Sequence, residues 1–146
     1  MTAHARPIGS NTFEVRERVR WSDCDPLGII HHGAYVRLIE VGEHEMFRAC
    51  GLPFERLRQQ KGVWLPRKAL QMEFHSPAQM DEEVVVQVWI PKIGTTSLTM
   101  GFEVLRASDR VSRASATLTV VCVDKETMKK RPIPDDVRQA LSTYAR

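Results

Sequence analysis

Only one stretch of this chain keeps a helical period for long, and it lies among segments patterned for strands. Tyr35, Leu38, Ile39, Gly42, Met46, Ala49 and Cys50 recur at helical spacing, with Arg37, Glu40, Glu43, His44 and Arg48 opposite. Gly51 stands where a left-handed C-cap belongs and Pro53 lies just beyond, so the helix is expected from about Gly33 to Cys50. No Ser, Thr, Asp or Asn caps its start. Gly33 is tolerable there, but the first N–H groups then lack a local side-chain partner and are open to a ligand.

The segments around this helix read as strands. Phe13, Val15, Val19 and Trp21 alternate with Glu14, Arg16, Arg18 and Arg20, as in a half-buried strand. Glu17 interrupts the apolar face with no partner evident. Residues 53–60 suit a short helical turn. Val63 to His75 reads as a strand with Leu70, Met72 and Phe74 on one face. Val84 to Ile90 is apolar throughout, which predicts burial on both faces. Pro91 to Gly94 reads as a turn, Thr95 to Ala107 as a strand, and Ser108-Asp109-Arg110 as a hairpin turn. Val111 to Asp124 is the last strand, with Ala114, Ala116, Leu118, Val120 and Cys122 on one face. Asp135 could cap a short terminal helix. Short connections favour antiparallel pairing. The expected architecture is therefore α+β, a five-stranded antiparallel sheet curled around one long helix. Residues 1–11 read as a flexible N-terminal tail and residues 12–146 as a single domain. A second subunit is the simplest cover for the outer face of Val84 to Ile90.

The net charge of +3, from 21 basic and 18 acidic residues, is too weak and dispersed for a nucleic-acid partner, though it suits an anionic small ligand. Cys24, Cys50 and Cys122 make an odd set without CxxC spacing, which argues against a disulfide framework and for a reducing compartment. Residues 1–11 hold no signal-peptide core, and no apolar run nears the roughly 20 residues of a membrane span. A cytoplasmic location is expected.

Reactive chemistry concentrates in the loop between the first strand and the helix, Trp21 to Tyr35, which holds two carboxylates, a thiol, two histidines, two glycines and a proline. Asp23, Cys24, Asp25, His31 and His32 have zinc-ligand chemistry, but their spacing fits no common zinc site, and no metal is expected. Nothing in the sequence lowers the Cys24 pKa enough to make it a nucleophile. Gly28 and Gly33 allow close backbone approach or positive φ. Tyr35 belongs with the core, its hydroxyl satisfied.

The run Asp23-Cys24-Asp25-Pro26-x-Gly28-Ile29-x-x-His32-x-x-Tyr35 resembles the signature of the 4-hydroxybenzoyl-CoA thioesterase family, a branch of the hotdog-fold acyl-CoA thioesterases. Ser76-Pro77-Ala78 with Asp81, Gly94-Thr95-Thr96-Ser97, Thr117 to Asp124, and Arg131-Pro132-Ile133-Pro134 resemble later segments of that family. The resemblance implies a hotdog fold, a sheet wrapped around the long helix, in dimers joined through sheet edges and often paired into homotetramers. It implies hydrolysis of an acyl-CoA to free acid and coenzyme A, with no cofactor beyond the CoA of the substrate. Asp25 matches the catalytic carboxylate, which can attack the carbonyl or deprotonate water. His32 matches the position whose backbone N–H stabilises the oxyanion. Gly28, His31 and Gly33 become substrate-pocket candidates, Thr95, Thr96 and Ser97 neighbours of the pantetheine, and Arg67 and Lys92 candidates for the CoA phosphates. Another hotdog branch uses a carboxylate from the long helix; here Glu40 and Glu43 fall on the polar stripe and read as a solvated face. Trp64, Met72, Phe47 and Phe54 could line an acyl pocket or belong to the core. An acyl-carrier-protein substrate, or non-catalytic acyl-CoA binding, are the alternatives.

Overall fold

The computed structural model describes residues 11–146. Apart from Asn11, the expected N-terminal tail lies outside the described residues. Five strands form one antiparallel sheet in the order β1-β4-β5-β6-β3, with β1 at Phe13–Arg18, β3 at Arg67–Phe74, β4 at Glu83–Ile93, β5 at Ser97–Arg106 and β6 at Ser112–Val121. A two-residue strand, β2 (Val63–Trp64), pairs separately with β7 (Val123–Asp124). The long helix α1 spans Ala34–Ala49, and Gly51 turns out of it with a φ of +75°. Phe54–Arg56 forms the short helix α2, which continues into a helical turn over Leu57–Lys61. The terminal helix α3 covers Asp135–Leu141, with Pro134 rather than Asp135 at its cap.

The helix packs against one face of the sheet. Val86, Val88 and Phe102 form its bed, and Gly42 makes the close approach possible. A Cβ on Gly42 would stand 2.6 Å from Val86 Cγ1 and 2.9 Å from Val88 Cγ2. Leu38, Met46 and Phe47 are fully buried, so the apolar stripe of α1 and the inner face of the sheet make one core.

Several expectations need correction. The first strand ends at Arg18; Trp21 lies beyond it in a single helical turn, Trp21–Asp23, and is exposed. The stretch Val63 to His75 is broken at Leu65-Pro66, because a proline has no N–H for the ladder. The proposed turn at Pro91 to Gly94 is instead strand as far as Ile93, with a register shift between Trp89 and Lys92 that accommodates the proline. Val84 to Ile90 is buried on both faces, but a single chain already achieves this, so its burial requires no second subunit.

Glu17 is explained by the fold. Its Oε2 accepts from Arg37 Nη1 at 2.8 Å, and the same guanidinium reaches Asp23 through Nε (2.8 Å) and Nη2 (2.5 Å). The acid on the apolar face of β1 and the base at the start of α1 thus form one cluster under the reactive loop.

Candidate active site

The loop after β1 folds back on itself. Cys24 bridges Ile30, the Asp25 N–H donates to Ile29 O at 2.9 Å, and the Gly28 N–H donates to Asp25 O at 3.0 Å. Gly28 takes a φ of +79°, a conformation that favours glycine. The hairpin is anchored to the β3–β4 connection, where Ile30 N–H donates to Ala78 O and Met80 N–H to Gly28 O. The tip, Pro26 to Gly28, is closed by Asp25 itself, whose Oδ1 accepts the Leu27 N–H at 2.8 Å. The second Asp25 oxygen accepts no hydrogen bond from the described residues.

Asp23 forms the base of the loop. It is almost fully buried, receives the Arg20 N–H and the Arg37 fork, and its carbonyl accepts the His31 N–H at 2.9 Å. Burial alone would raise its pKa, but the hydrogen bonds from Arg37 and the Arg20 N–H outweigh it and hold the carboxyl below its usual range. It acts as a structural anchor of the loop. Burial pushes the Cys24 thiol up, and Asp23, Asp25 and Asp81 push it further, so it keeps its proton and is a poor nucleophile.

The start of α1 differs from expectation in one respect. It does have a side-chain cap, because His31 Nδ1 accepts the Ala34 N–H at 3.1 Å. Gly33 has a φ of −64° and needs no left-handed backbone; a Cβ there would sit 3.4 Å from the His31 ring. The backbone N–H groups of His32 and Gly33 have no partner among the described residues. They lie at the positive end of a sixteen-residue helix, in the same loop as the free oxygen of Asp25.

A cavity of about 260 Å³ opens here, lined by Ile30, His32, Tyr35, Phe74, Ser76 and their neighbours. The His32 ring stands edge-on to Phe74 at 6.2 Å, and Tyr35 lies against the same ring at 5.4 Å. The Tyr35 hydroxyl donates to Ser76 O and accepts from the Ala78 N–H, both at 3.3 Å, as a buried tyrosine requires. Burial pushes its pKa up. The contribution of Phe74 to Pro77 was missed in the sequence. Phe74 alternates correctly for the inner face of β3, but β3 is an edge strand that overhangs the helix, leaving the ring half exposed.

Thus Asp25, Gly28, His31, His32 and Gly33 come together in one loop. Thr95, Thr96 and Ser97 do not join them, nor do Arg67 and Lys92. Ser97 pairs with Val121 and Arg67 with Val120, whereas Phe74 pairs with Ala114. The seven steps from Phe74 to Arg67 place the two ends about 23 Å apart at the usual strand rise. Arg67 is also already paired with Glu43. Glu43 is fully buried rather than on a solvated face, and burial pushes its pKa up to about 7 against the opposing effect of Arg67. Of the four pocket candidates, Phe47 is core, Phe54 packs edge-on to it at 5.1 Å, and Trp64 lies under Arg58. None of them, nor Met72, lines the cavity beside His32.

Residues 19–141 match a family model described as thioesterase-like superfamily. The acyl-CoA thioester hydrolase YbgC of Escherichia coli O6:H1 is 29% identical over 130 residues, spanning 89% of this chain and 96% of that protein. Among solved structures, a thioesterase-superfamily protein from Jannaschia sp. CCS1 superposes with a TM-score of 0.87 at 24% identity, covering 98% of this chain and 99% of that one. Slr0204, a 1,4-dihydroxy-2-naphthoyl-CoA thioesterase from Synechocystis, superposes with a TM-score of 0.82 at 19% identity, covering 89% and 95%.

Proposed function

The chain belongs to the thioesterase-like superfamily and has its hotdog fold, and from that premise we propose that it is an acyl-CoA thioesterase in which Asp25 and the His32 backbone N–H carry the chemistry. The observation behind the assignment is a pairing of opposites in one short loop. One short loop holds both a carboxylate oxygen without a hydrogen-bond partner among the described residues and unpaired N–H groups at a helix N-terminus. Asp25 either attacks the thioester carbonyl carbon or takes a proton from the water that does so. The carbonyl oxygen becomes an oxyanion, held by the His32 N–H and the helix dipole. The C–S bond then breaks and coenzyme A leaves as a thiolate that takes up a proton. In the first route the acyl group is left on Asp25 as a mixed anhydride, which water cleaves to the free acid and the regenerated carboxylate; in the second the free acid forms directly. The His32 side chain, exposed at the cavity, is placed to assist proton transfer or orient water. No metal or redox cofactor enters the reaction in this reading, and the three free cysteines, Cys24, Cys50 and Cys122, suit an enzyme of a reducing compartment such as the cytoplasm. No helix among the described residues is long and apolar enough to cross a membrane.

The working unit in this reading is a homodimer paired along β3. That edge carries Leu70 and Phe74, both substantially exposed, next to exposed Val36 on α1. An antiparallel two-fold pairing there reverses one protomer against the other. It would bring the partner's end of β3, with the turn before β5, toward the loop holding Asp25. Thr95, Thr96 and Ser97 would then approach the pantetheine of a substrate bound to the other chain. Sedimentation should show a dimer or a multiple of it, and a monomer with full activity would refute this part. Thiol release from short, long and aromatic acyl-CoAs tests the activity itself. Release from at least one supports it; none from any, with folded protein, refutes it.

A further inference from the structure

The connection between β3 and β4 supports the reactive loop, and one buried base holds both of its ends. Arg113 stands near the start of β6. Its Nε and Nη2 donate to the two carboxylate oxygens of Glu82 at 3.0 and 2.6 Å, and its Nη1 donates to Ser76 Oγ at 2.9 Å. Ser76 lies just past the end of β3 and Glu82 just before the start of β4, so one planar guanidinium spans the connection. The side chains of Arg113 and Glu82 are only 7% and 11% exposed.

The backbone repeats the clamp. Arg113 O accepts the N–H groups of His75 (2.9 Å) and Ser76 (3.2 Å), and the Ser76 hydroxyl donates to Ser112 O at 2.8 Å. Arg113 is also the odd residue of β6. Val104 faces Ala114 and Leu105 faces Ser112, so Arg113 has no opposite number on β5. This is a β-bulge, a device that redirects a side chain and is frequent beside active sites.

Stability does not account for the pair. Burying two charges is unfavourable, and apolar residues of similar volume commonly give equal or greater stability. What the pair supplies is geometry, a fixed span between Ser76 and Glu82. From the middle of that span hangs the hairpin of Asp25. Ile30 N–H donates to Ala78 O at 2.9 Å and Met80 N–H to Gly28 O at 3.1 Å, and Ile29 bridges Gln79. Within the hairpin the Asp25 backbone is bonded to Ile29 and Gly28. On the side of α1, the Tyr35 hydroxyl meets Ser76 O and the Ala78 N–H.

We propose that Arg113 is a positioning residue of the reaction. By fixing Ser76 and Glu82 it fixes the rungs at Ala78 and Met80, and through them where Asp25 stands relative to the start of α1. The proposal rests on the thioesterase reading above. Arg113 does not line the cavity beside His32, and its action passes entirely through the connection.

The test separates positioning from plain stability. Arg113→Met leaves the Glu82 charge buried and unpaired, so the fold weakens as well. Combining Arg113→Met with Glu82→Met removes both charges and should regain most of the stability to urea, but not the fixed span. In both variants kcat on the best acyl-CoA should fall about 10–100-fold with KM within a few-fold, the scale on which small misplacements act. Arg113→Lys, a point charge without the fork, should restore little of that loss.

Hydrogen exchange gives a readout independent of turnover. In the double variant the amides of Ile30 and Met80 should exchange at least about ten-fold faster than in wild type, while those of Val86 and Val88 keep their rates. A merely structural Arg113 predicts the opposite, with kcat and the loop amides recovering together with stability. That result, or wild-type kcat in a folded Arg113→Met protein, overturns the proposal. Should Arg113→Met fail to fold, the double variant alone decides. A wild-type protein that hydrolyses no thioester sinks the thioesterase reading only. The exchange of Ile30 and Met80 then still upholds or overturns the positioning of the hairpin.

Discussion

Replacing Arg37 by Met should uncover how the active loop is held. Arg37 donates to Asp23 at 2.8 and 2.5 Å, to Glu17 at 2.8 Å and to the Arg18 carbonyl at 3.1 Å. Asp23 is 3% exposed, so removing Arg37 leaves its charge in the interior with only the Arg20 N–H. Breaking a buried pair from one side costs about 3–5 kcal/mol; the Arg37 end reaches water, so a loss of about 2–4 kcal/mol is expected. The sign of the pH dependence follows from the same contacts. Asp23 and Glu17 would be raised by burial, yet the hydrogen bonds from Arg37 and from backbone N–H groups lower both below their usual values of 3.8 and 4.5. A carboxyl with a depressed folded pKa contributes its full stability above its unfolded pKa. That contribution is lost as pH falls through the folded value. Urea unfolding at neutral pH and at successively lower pH gives both quantities. Arg37→Met should lie well below wild type at neutral pH and converge on it in acid. Adding Asp23→Asn should recover part of the loss, because no unpaired charge is then buried. A neutral-pH loss of less than about 0.5 kcal/mol, within the range of an ordinary surface change, would refute the reasoning.

Two further outcomes follow from the core and from the buried acid on α1. Gly42→Ala drives a methyl group into Val86 and Val88 and should cost about 1–3 kcal/mol by thermal or urea unfolding, a loss that Val86→Ala should reduce. Glu43 has a folded pKa of about 7, above the usual 4.5. Its ionisation therefore costs stability progressively as pH rises from about 4.5 through 7, by about 3 kcal/mol in all. Glu43→Gln should flatten that part of the stability profile; an unchanged slope between those values would assign the titration elsewhere.

The order of elements was legible because its signals are local: one 3.6-residue period at Tyr35 to Cys50, and alternation or apolar runs elsewhere. Gly51 as C-cap and the hairpin at Ser108 to Arg110 are short-range chemistry and were readable for that reason. What escaped depends on distant parts of the chain. Glu17 looked misplaced until Arg37 arrived from α1. Phe74 read only as one of three residues sharing a strand face, because alternation reports a face and not whether that face lies at an open edge. Glu43 read as solvated because helical spacing cannot show that β3 closes over it and brings Arg67. Pro91 read as a turn because a proline inside a strand is tolerated only where the register shifts, and registers are set by the partner strand. For the site, the residues of one loop were legible together. The separation of Thr95 to Ser97, Arg67 and Lys92 from that loop depends on strand register.

The most direct test of the account is the turnover of Asp25→Asn, measured as thiol release on the best acyl-CoA of the wild type, with binding of the same thioester measured in parallel. The substitution keeps the size of the side chain and its oxygen acceptor for the Leu27 N–H, and removes the charge. The account predicts a fall in kcat of at least about 10²–10⁴-fold, with the fold and the thioester affinity largely retained. Hydrolysis near the wild-type rate would contradict it and remove Asp25 from the chemistry.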